Sequence, residues 1–493
     1  MMTTKFPLID KIAIAIIFAL SLVIGAFLWS EGACETGCLF HTGPKVSHFS
    51  WENKPIGREE RAFLLTFNRP MDRSSVEANL KIQPPLPGKF SWSGLRLAYT
   101  LDNPAPYGEN YLISLKGAQE RFPGSEQLGE LIQPFKSEFY SRDRAFAYLG
   151  SQEEERGRLV LYNWTQKTKT ILTPPELTVF EFEPYPQGDL ILFSAAKRDL
   201  GMDAVNHLQL YTVSTEVIAN QTPELKLILD HQGYQNQKFD LSQNGKIIVV
   251  QRINRKDPTD FGLWLIKERQ KPEPLQNSSG GDFLIAPDSQ TLAVAQGEGI
   301  ALLPLQPDAE PLDFLPKFGR VVSFAPDGTA AAMVNYNTDN PKLKYTRSLF
   351  YVNNQGIQKE LLNTKGSILD CQFNPNVTHL YCLLTELKQD QEYKEQPYLA
   401  EINLKTNQIN PLLALPEYQD SQISMAPDGL GVLFDQILTT ESGNQANLPA
   451  TSSGETIINS RLWLLLPPSE QTKDSSHQLE ELPLIGFHPQ WLP

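Results

Sequence analysis

One short pattern recurs through the C-terminal part of the chain. It is an apolar residue, a small or polar residue, Pro-Asp-Gly or a variant, then an alternating apolar run. It starts at Phe182 (FEPYPQGDLILF), Leu241 (LSQNGKIIVV), Ile285 (IAPDSQTLAV), Phe324 (FAPDGTAAAMV), Phe373 (FNPNVTHLYCLL) and Met425 (MAPDGLGVLF). The steps between these starts are 59, 44, 39, 49 and 52 residues. A period of about 40–50 residues built from short strands is the signature of β-propeller blades. Each pattern supplies strand A, a tight turn and strand B. An apolar strand C follows at 208–213, 262–266, 300–305, 348–352, 397–402 and 461–466, and a fourth strand D completes each of these units. Two fragments remain. Segments 145–149, 158–164 and 168–172 supply B, C and D with no A. The final LPLIGFHPQWLP supplies an A-like strand, with a variant turn expected at Phe487-His488-Pro489, and no B. Joined, they make a seventh blade and remove the open edge of the array. A string of unrelated β-sandwiches leaves both fragments unexplained. The fold class expected is therefore mainly β, with a seven-bladed propeller over 143–493 closed by the C-terminal strand.

The Pro-Asp-Gly turns at Asp327 and Asp428, with the variant at Asp288, resemble those of TolB-type propellers. The resemblance covers the whole repeat. It implies the fold and little about function, because many unrelated functions share that architecture.

Ahead of the repeat, residues 12–29 (IAIAIIFALSLVIGAFLW) carry no charge. That length approaches the roughly 20 apolar residues of a membrane-spanning helix. Lys5 and Lys11 precede it, Glu31 and Glu35 follow it, and only Lys45 is basic close on the far side. The bias puts the N-terminus in the cytoplasm and the bulk outside the inner membrane. A cleaved signal peptide is the rival, but its apolar core runs about 7–15 residues and Glu31 makes a poor cleavage context. Residues 1–30 are thus expected to be a cytoplasmic tip and an uncleaved anchor, and 31–44 a tether. The tether holds Cys34 and Cys38, which can pair outside the cytoplasm or stay as free thiols. With His41 they form a sparse Cys-x3-Cys-x2-His that lacks a fourth metal ligand.

Residues 45–142 read as short alternating strands broken by Asn68-Arg69-Pro70-Met71-Asp72 and by Pro84-Pro85-Leu86-Pro87-Gly88, the pattern of a β-sandwich. FLLTFNRPMDRSSVEANLKIQPPLPGKFSW followed by LRLAYTLDNPAPYGENYLISL resembles the bacterial Ig-like domain of surface-layer proteins. Downstream, 120–131 departs from that family as a polar loop. The resemblance implies a spacer or adhesive module without chemistry of its own.

Strands of a blade alternate in direction, so A–B turns share one face and B–C connections the other. The B–C connections are long and polar at 194–206, 251–260, 335–346, 386–396 and 436–460. Long loops on a rigid scaffold are the better place for binding. The tether and Pro493 are expected on the opposite, A–B face. Cys371 and Cys382 flank one A–B turn. Pairing Phe373 with Leu380 sets them directly opposite, where a cross-strand disulfide competes with two buried thiols.

Catalytic patterns are missing. No Gly-x-Ser-x-Gly, His-Glu-x-x-His, phosphate loop or Gly-x-Gly-x-x-Gly occurs, and the seven histidines are scattered. Glu153-Glu154-Glu155 and Glu480-Glu481 fit solvated charge runs. Asp288, Asp327 and Asp428 fit turn formers, and Trp164, Trp264 and Trp463 fit core positions on C strands. No catalytic, cofactor-binding or metal-binding residue is assigned, and no cofactor is implied. Lys+Arg of 43 against Asp+Glu of 57 gives a net charge of -14, which disfavours nucleic acid. The A strands, taken to present Phe, Leu, Ile and Val to the channel, favour binding over catalysis. The expectation is an envelope-anchored binding or scaffold protein, its Ig-like spacer presenting a propeller whose B–C loops recruit a protein or glycan. The alternatives are a glycan hydrolase or lyase working in the channel, and a purely structural envelope component.

Overall fold

The structure is a computed structural model. It describes residues 43–493 except 59, 122–127, 217–222, 269, 276–279, 298, 307–311, 389–394, 416–420, 441–455 and 469–476. The expected anchor at 12–29 and Cys34 and Cys38 lie outside the described residues. Among the described residues no helix is long and apolar enough to cross a membrane. The chain divides into two compact units, one ending at Ser141 and one comprising Arg142–Pro493 with Gly57–Glu59.

The first unit holds two four-stranded sheets. One runs Val46–Phe49, Ala62–Phe67, Arg96–Leu101, Gly88–Ser93 in spatial order, the other Pro55–Ile56, Phe135–Ser141, Asn110–Leu115, Leu80–Gln83. Period-two alternation places Phe63, Leu65 and Phe67 inward and leaves Leu64 exposed. They meet Tyr111, Ile113 and Phe139 of the second sheet in a shared core. Two elements differ from expectation. Arg73–Asn79 is an α-helix, started by the Asp72 carboxylate, which accepts from Ser75 N at 2.8 Å. The expected polar loop at 120–131 carries a two-stranded ribbon, Gln119–Arg121 with Leu128–Leu131.

The second unit is a β-propeller of seven four-stranded antiparallel sheets. Blade 1 takes strand A from Gly486–Trp491 and strands B, C and D from Ala145–Gly150, Leu159–Asn163 and Thr168–Ile171. Trp491 lies opposite Phe146, and Gly486 opposite Gly150. Inner strands A of blades 2 to 7 are Leu177–Pro184, Tyr234–Leu241, Phe283–Ile285, Arg320–Phe324, Ile368–Phe373 and Ile423–Met425. Inner strands pack on one another from blade 3 through to blade 7, then on Gly486–Trp491, which returns to blade 2. Glu183 completes the circuit by accepting Leu241 N at 3.0 Å. The variant turn expected at Phe487-His488-Pro489 is absent. The strand runs through it with a bulge, and His488 takes φ 51°.

The A–B turns follow from their residues. Gly188, Gly245, Gly328 and Gly429 take φ between 67° and 76°, which only glycine adopts without strain. The Asp288 carboxylate accepts Gln290 N at 2.8 Å and Thr291 N at 2.9 Å, and Asp327 and Asp428 act alike. Asp428 also ion-pairs with Arg144.

Candidate binding site in the propeller channel

Alignment of the inner strands on their A–B turns shows two polar rungs. The outer-facing alternates, Phe182, Phe239, Phe283 and Cys371, are buried between a blade and the one before it. The residues between them face the next blade across the channel. The first rung reads Glu181, Lys238, Asp282, Arg320, Asp370, Gln422 and His488; Val321, the residue aligned with Asp282, instead packs in the core with Ala293 and Ile300 of blade 4. The second reads Glu183, Asp240, Leu284, Ser323, Gln372, Ser424 and Gln490. The expectation of an apolar channel wall is therefore corrected. Apolar residues of strand A serve the cores between blades, and their alternates bring charge to the axis. Register shifts inside strand A of blades 2, 3, 5 and 6 displace the upstream residues, so simple alternation cannot be carried along the whole strand.

Most of these groups hold one blade to the next. Asp282 takes Lys238 of blade 3 on one oxygen and Arg320 Nε of blade 5 on the other, at 3.2 Å. Arg320 Nη1 then donates to Leu369 O of blade 6 at 3.1 Å. On the second rung, a side chain accepts the backbone N–H one residue further along the next inner strand. Glu183 accepts from Leu241, Asp240 from Ile285, Gln372 from Met425 at 2.7 Å and Ser424 from Trp491 at 3.0 Å. Three junctions lack this latch. Leu284 has no acceptor, Ser323 Oγ is buried without a partner, and the residue aligned as donor to Gln490, Pro184, has no N–H. At blade 7, Asp435 on strand B accepts Gln422 N at 2.8 Å and His488 N at 2.7 Å.

Glu181 stands apart. Inner strands crowd it, yet its surface stays accessible, as befits a side chain facing water inside the ring. That crowding raises its pKa to about 7, with Asp240 adding to the rise and Lys238 opposing it. Burial likewise raises Asp240 and Asp370 to about 6, and Glu183 well above its ordinary value.

Two cavities open on the side of the A–B turns. One, of about 390 Å³, is the channel mouth, with Glu183, Asp240 and Ser323 in its wall and Pro186, Pro287 and Pro326 around it. The other, of about 520 Å³, lies at blades 6 and 7, where Tyr381 donates to Glu401 at 2.7 Å beside His379. Pro493 and Arg142 lie on this side, next to Gly188. On the other side, the B–C connection of blade 2 folds as two 3₁₀ stretches across a kink at Gly201, within Arg198–His207. Cys371 and Cys382, facing each other in register with Cα atoms 4.0 Å apart, are joined as a disulfide. Trp164 packs on Trp491 and Phe146 in the closing blade, with Lys167 Nζ 3.5 Å over its ring. Among the described residues no cluster of three or more His, Cys, Asp or Glu is arranged to hold a metal ion.

No family model and no curated protein matches the chain. Solved structures similar to it include oligogalacturonate lyase from Vibrio parahaemolyticus, with 13% identity over 60% of this chain and 87% of that one and a TM-score of 0.43. TolB from Acinetobacter baumannii shows 12% identity over 84% of this chain and 83% of that one, with a TM-score of 0.39. A prolyl endopeptidase shows 10% identity over 70% and 50%, with a TM-score of 0.45.

Proposed function

We propose that the protein is a single-span, envelope-anchored binding or scaffold module. Residues 12–29 hold it in the inner membrane with the N-terminus cytoplasmic. The sandwich, an Ig-like spacer, carries the propeller, whose B–C connections recruit a protein or glycan. The observation that carries this over channel catalysis is the commitment of the inner-strand polar groups. Glu183, Asp240, Gln372 and Ser424 are each tied to a neighbouring blade's backbone, and Asp282 to two cations. Groups so engaged are structural before they are catalytic. The Cys371–Cys382 disulfide suits an oxidising compartment.

The test is quantitative crosslinking in membranes, comparing the full chain with a variant in which 441–455 is replaced by a short turn. Loss of the crosslinked partners supports recruitment through the B–C side. Retention of all of them overturns it and moves the contact to the A–B cavities. One observation favours the second reading, a glycan hydrolase or lyase. Glu181 combines an accessible carboxyl with a pKa near neutrality, which suits proton transfer. Turnover of an envelope glycan abolished by Glu181→Gln would establish that reading in place of the first.

A further inference from the structure

Three segments meet on the B–C side of blades 2 and 3. The first is the Arg198–His207 insertion. Its near end is fixed by the Arg198 guanidinium, which donates to Pro175 O at 2.8 Å, Arg156 O at 2.7 Å and Leu177 O at 3.0 Å. Its far end is held differently. The His207 ring stands edge-on against the His231 ring, centroids 5.2 Å apart and planes at 76°. His231 belongs to the connection entering blade 3, and Arg255 of that blade's B–C connection joins both. Arg255 donates to Asn206 O and, at 3.2 Å, to His231 O. Gln235 donates to Asn206 Oδ1 at 3.1 Å.

We propose that this insertion is a proton-released flap, docked while the two imidazoles are neutral and freed at its His207 end when both are charged. The junction then holds two imidazolium ions and the Arg255 guanidinium. Two carboxylates face them. Asp203, on the insertion itself, lies 3.3 Å from His207 Nδ1. Asp230, beside His231, shares its field with Arg252 of blade 3. Asp203 travels with the flap, so its pairing with His207 does not hold the flap down. Burial, followed by His207 and Arg255, already lowers the pKa of His231. A histidine held low binds its proton more tightly when undocked. Docking is therefore complete above the ordinary imidazole range of about 6.5 and is lost as pH falls below it. The Arg198 anchor does not titrate in this range and serves as the hinge end.

Hydrogen exchange on the full chain in detergent at pH 7.5 and 5.0, corrected for intrinsic rates, tests this. Protection over 198–208 should fall about tenfold or more at pH 5.0, while strand B of blade 2 stays protected. His231→Gln, uncharged at both values, should keep equal protection at both. Equal protection of the native chain at both values, or an unchanged pH response in His231→Gln, overturns the proposal. If His231→Gln is already undocked at pH 7.5, Asp203→Asn decides. That carboxylate stays beside His207 whether the flap is docked or free, so its loss disfavours the charged imidazole in both states and release should move to lower pH. Release at an unmoved pH overturns the flap.

Discussion

At the scale of single residues, the channel turns on the balance between crowding and water. Glu181 carries a pKa of about 7, against an ordinary 4.5, because neighbouring inner strands displace solvent from it. A raised carboxyl stabilises the fold through its protonated form. That contribution is whole below about 4.5 and is lost as pH rises through 7. Ionised Glu181 therefore destabilises the ring above neutrality. Because the side chain still touches water, the effect is discounted to about 1 kcal/mol. Glu181→Gln, neutral throughout, should raise the melting temperature of the propeller by about 2 °C at pH 8 and leave it unchanged at pH 4.5. Calorimetry at the two values checks this. Equal gains at both would mean that the residue acts through packing rather than charge.

At the scale of elements, hairpins were legible where side chains dictate the turn. Asp288, Asp327 and Asp428 cap their own turns, and Gly328 and Gly429 supply the left-handed residue, so each A–B unit is local chemistry. The helix Arg73–Asn79 was not legible, because its seven residues make only about two turns, too few for a 3.6-residue apolar period to stand out from a turn. The channel rungs were hidden for a different reason. An inner strand has an apolar face toward the preceding blade and a polar face toward the following one, and only the closed ring sets that polar face around an axis. The latch itself is local enough to test. Asp240 accepts two backbone donors, Leu241 N at 3.0 Å and Ile285 N. Asp240→Ala leaves Ile285 N without its side-chain acceptor, while Leu241 N keeps Glu183, and should cost about 1–2 kcal/mol, whereas Asp240→Asn keeps an acceptor oxygen and should cost less than half as much. Urea unfolding midpoints at pH 7.5 measure the pair. An alanine variant as stable as the asparagine one would show that water replaces the latch.

At the scale of the whole molecule, the ring depends on residues far apart in the chain. Blade 1 is assembled from Ala145–Gly150 and Gly486–Trp491, so a local fault at the seam is felt by all seven blades. Trp491 buries its ring against Phe146 at 5.4 Å and its backbone N–H donates to Ser424 of blade 7, which joins the seam to the blade behind it. A tight point of the seam is Gly486. A Cβ there would lie 2.3 Å from the buried Tyr148 ring and 2.6 Å from the backbone oxygen of Leu149, which cannot swing aside. Gly486→Ala should therefore push the closing strand off its partner and cost about 1–3 kcal/mol, the range of overpacked sites. Because an opened seam uncovers the edge of Ala145–Gly150, the loss should appear as a lower, broader propeller transition with early protease cleavage near that strand. The sandwich, a separate compact unit, should unfold as before. Ile485→Ala, one residue earlier and exposed, is the control and should behave like the native chain. If Gly486→Ala unfolds with the native midpoint and cooperativity, the seam tolerates displacement, and closure by the final strand is not what holds the seven blades together.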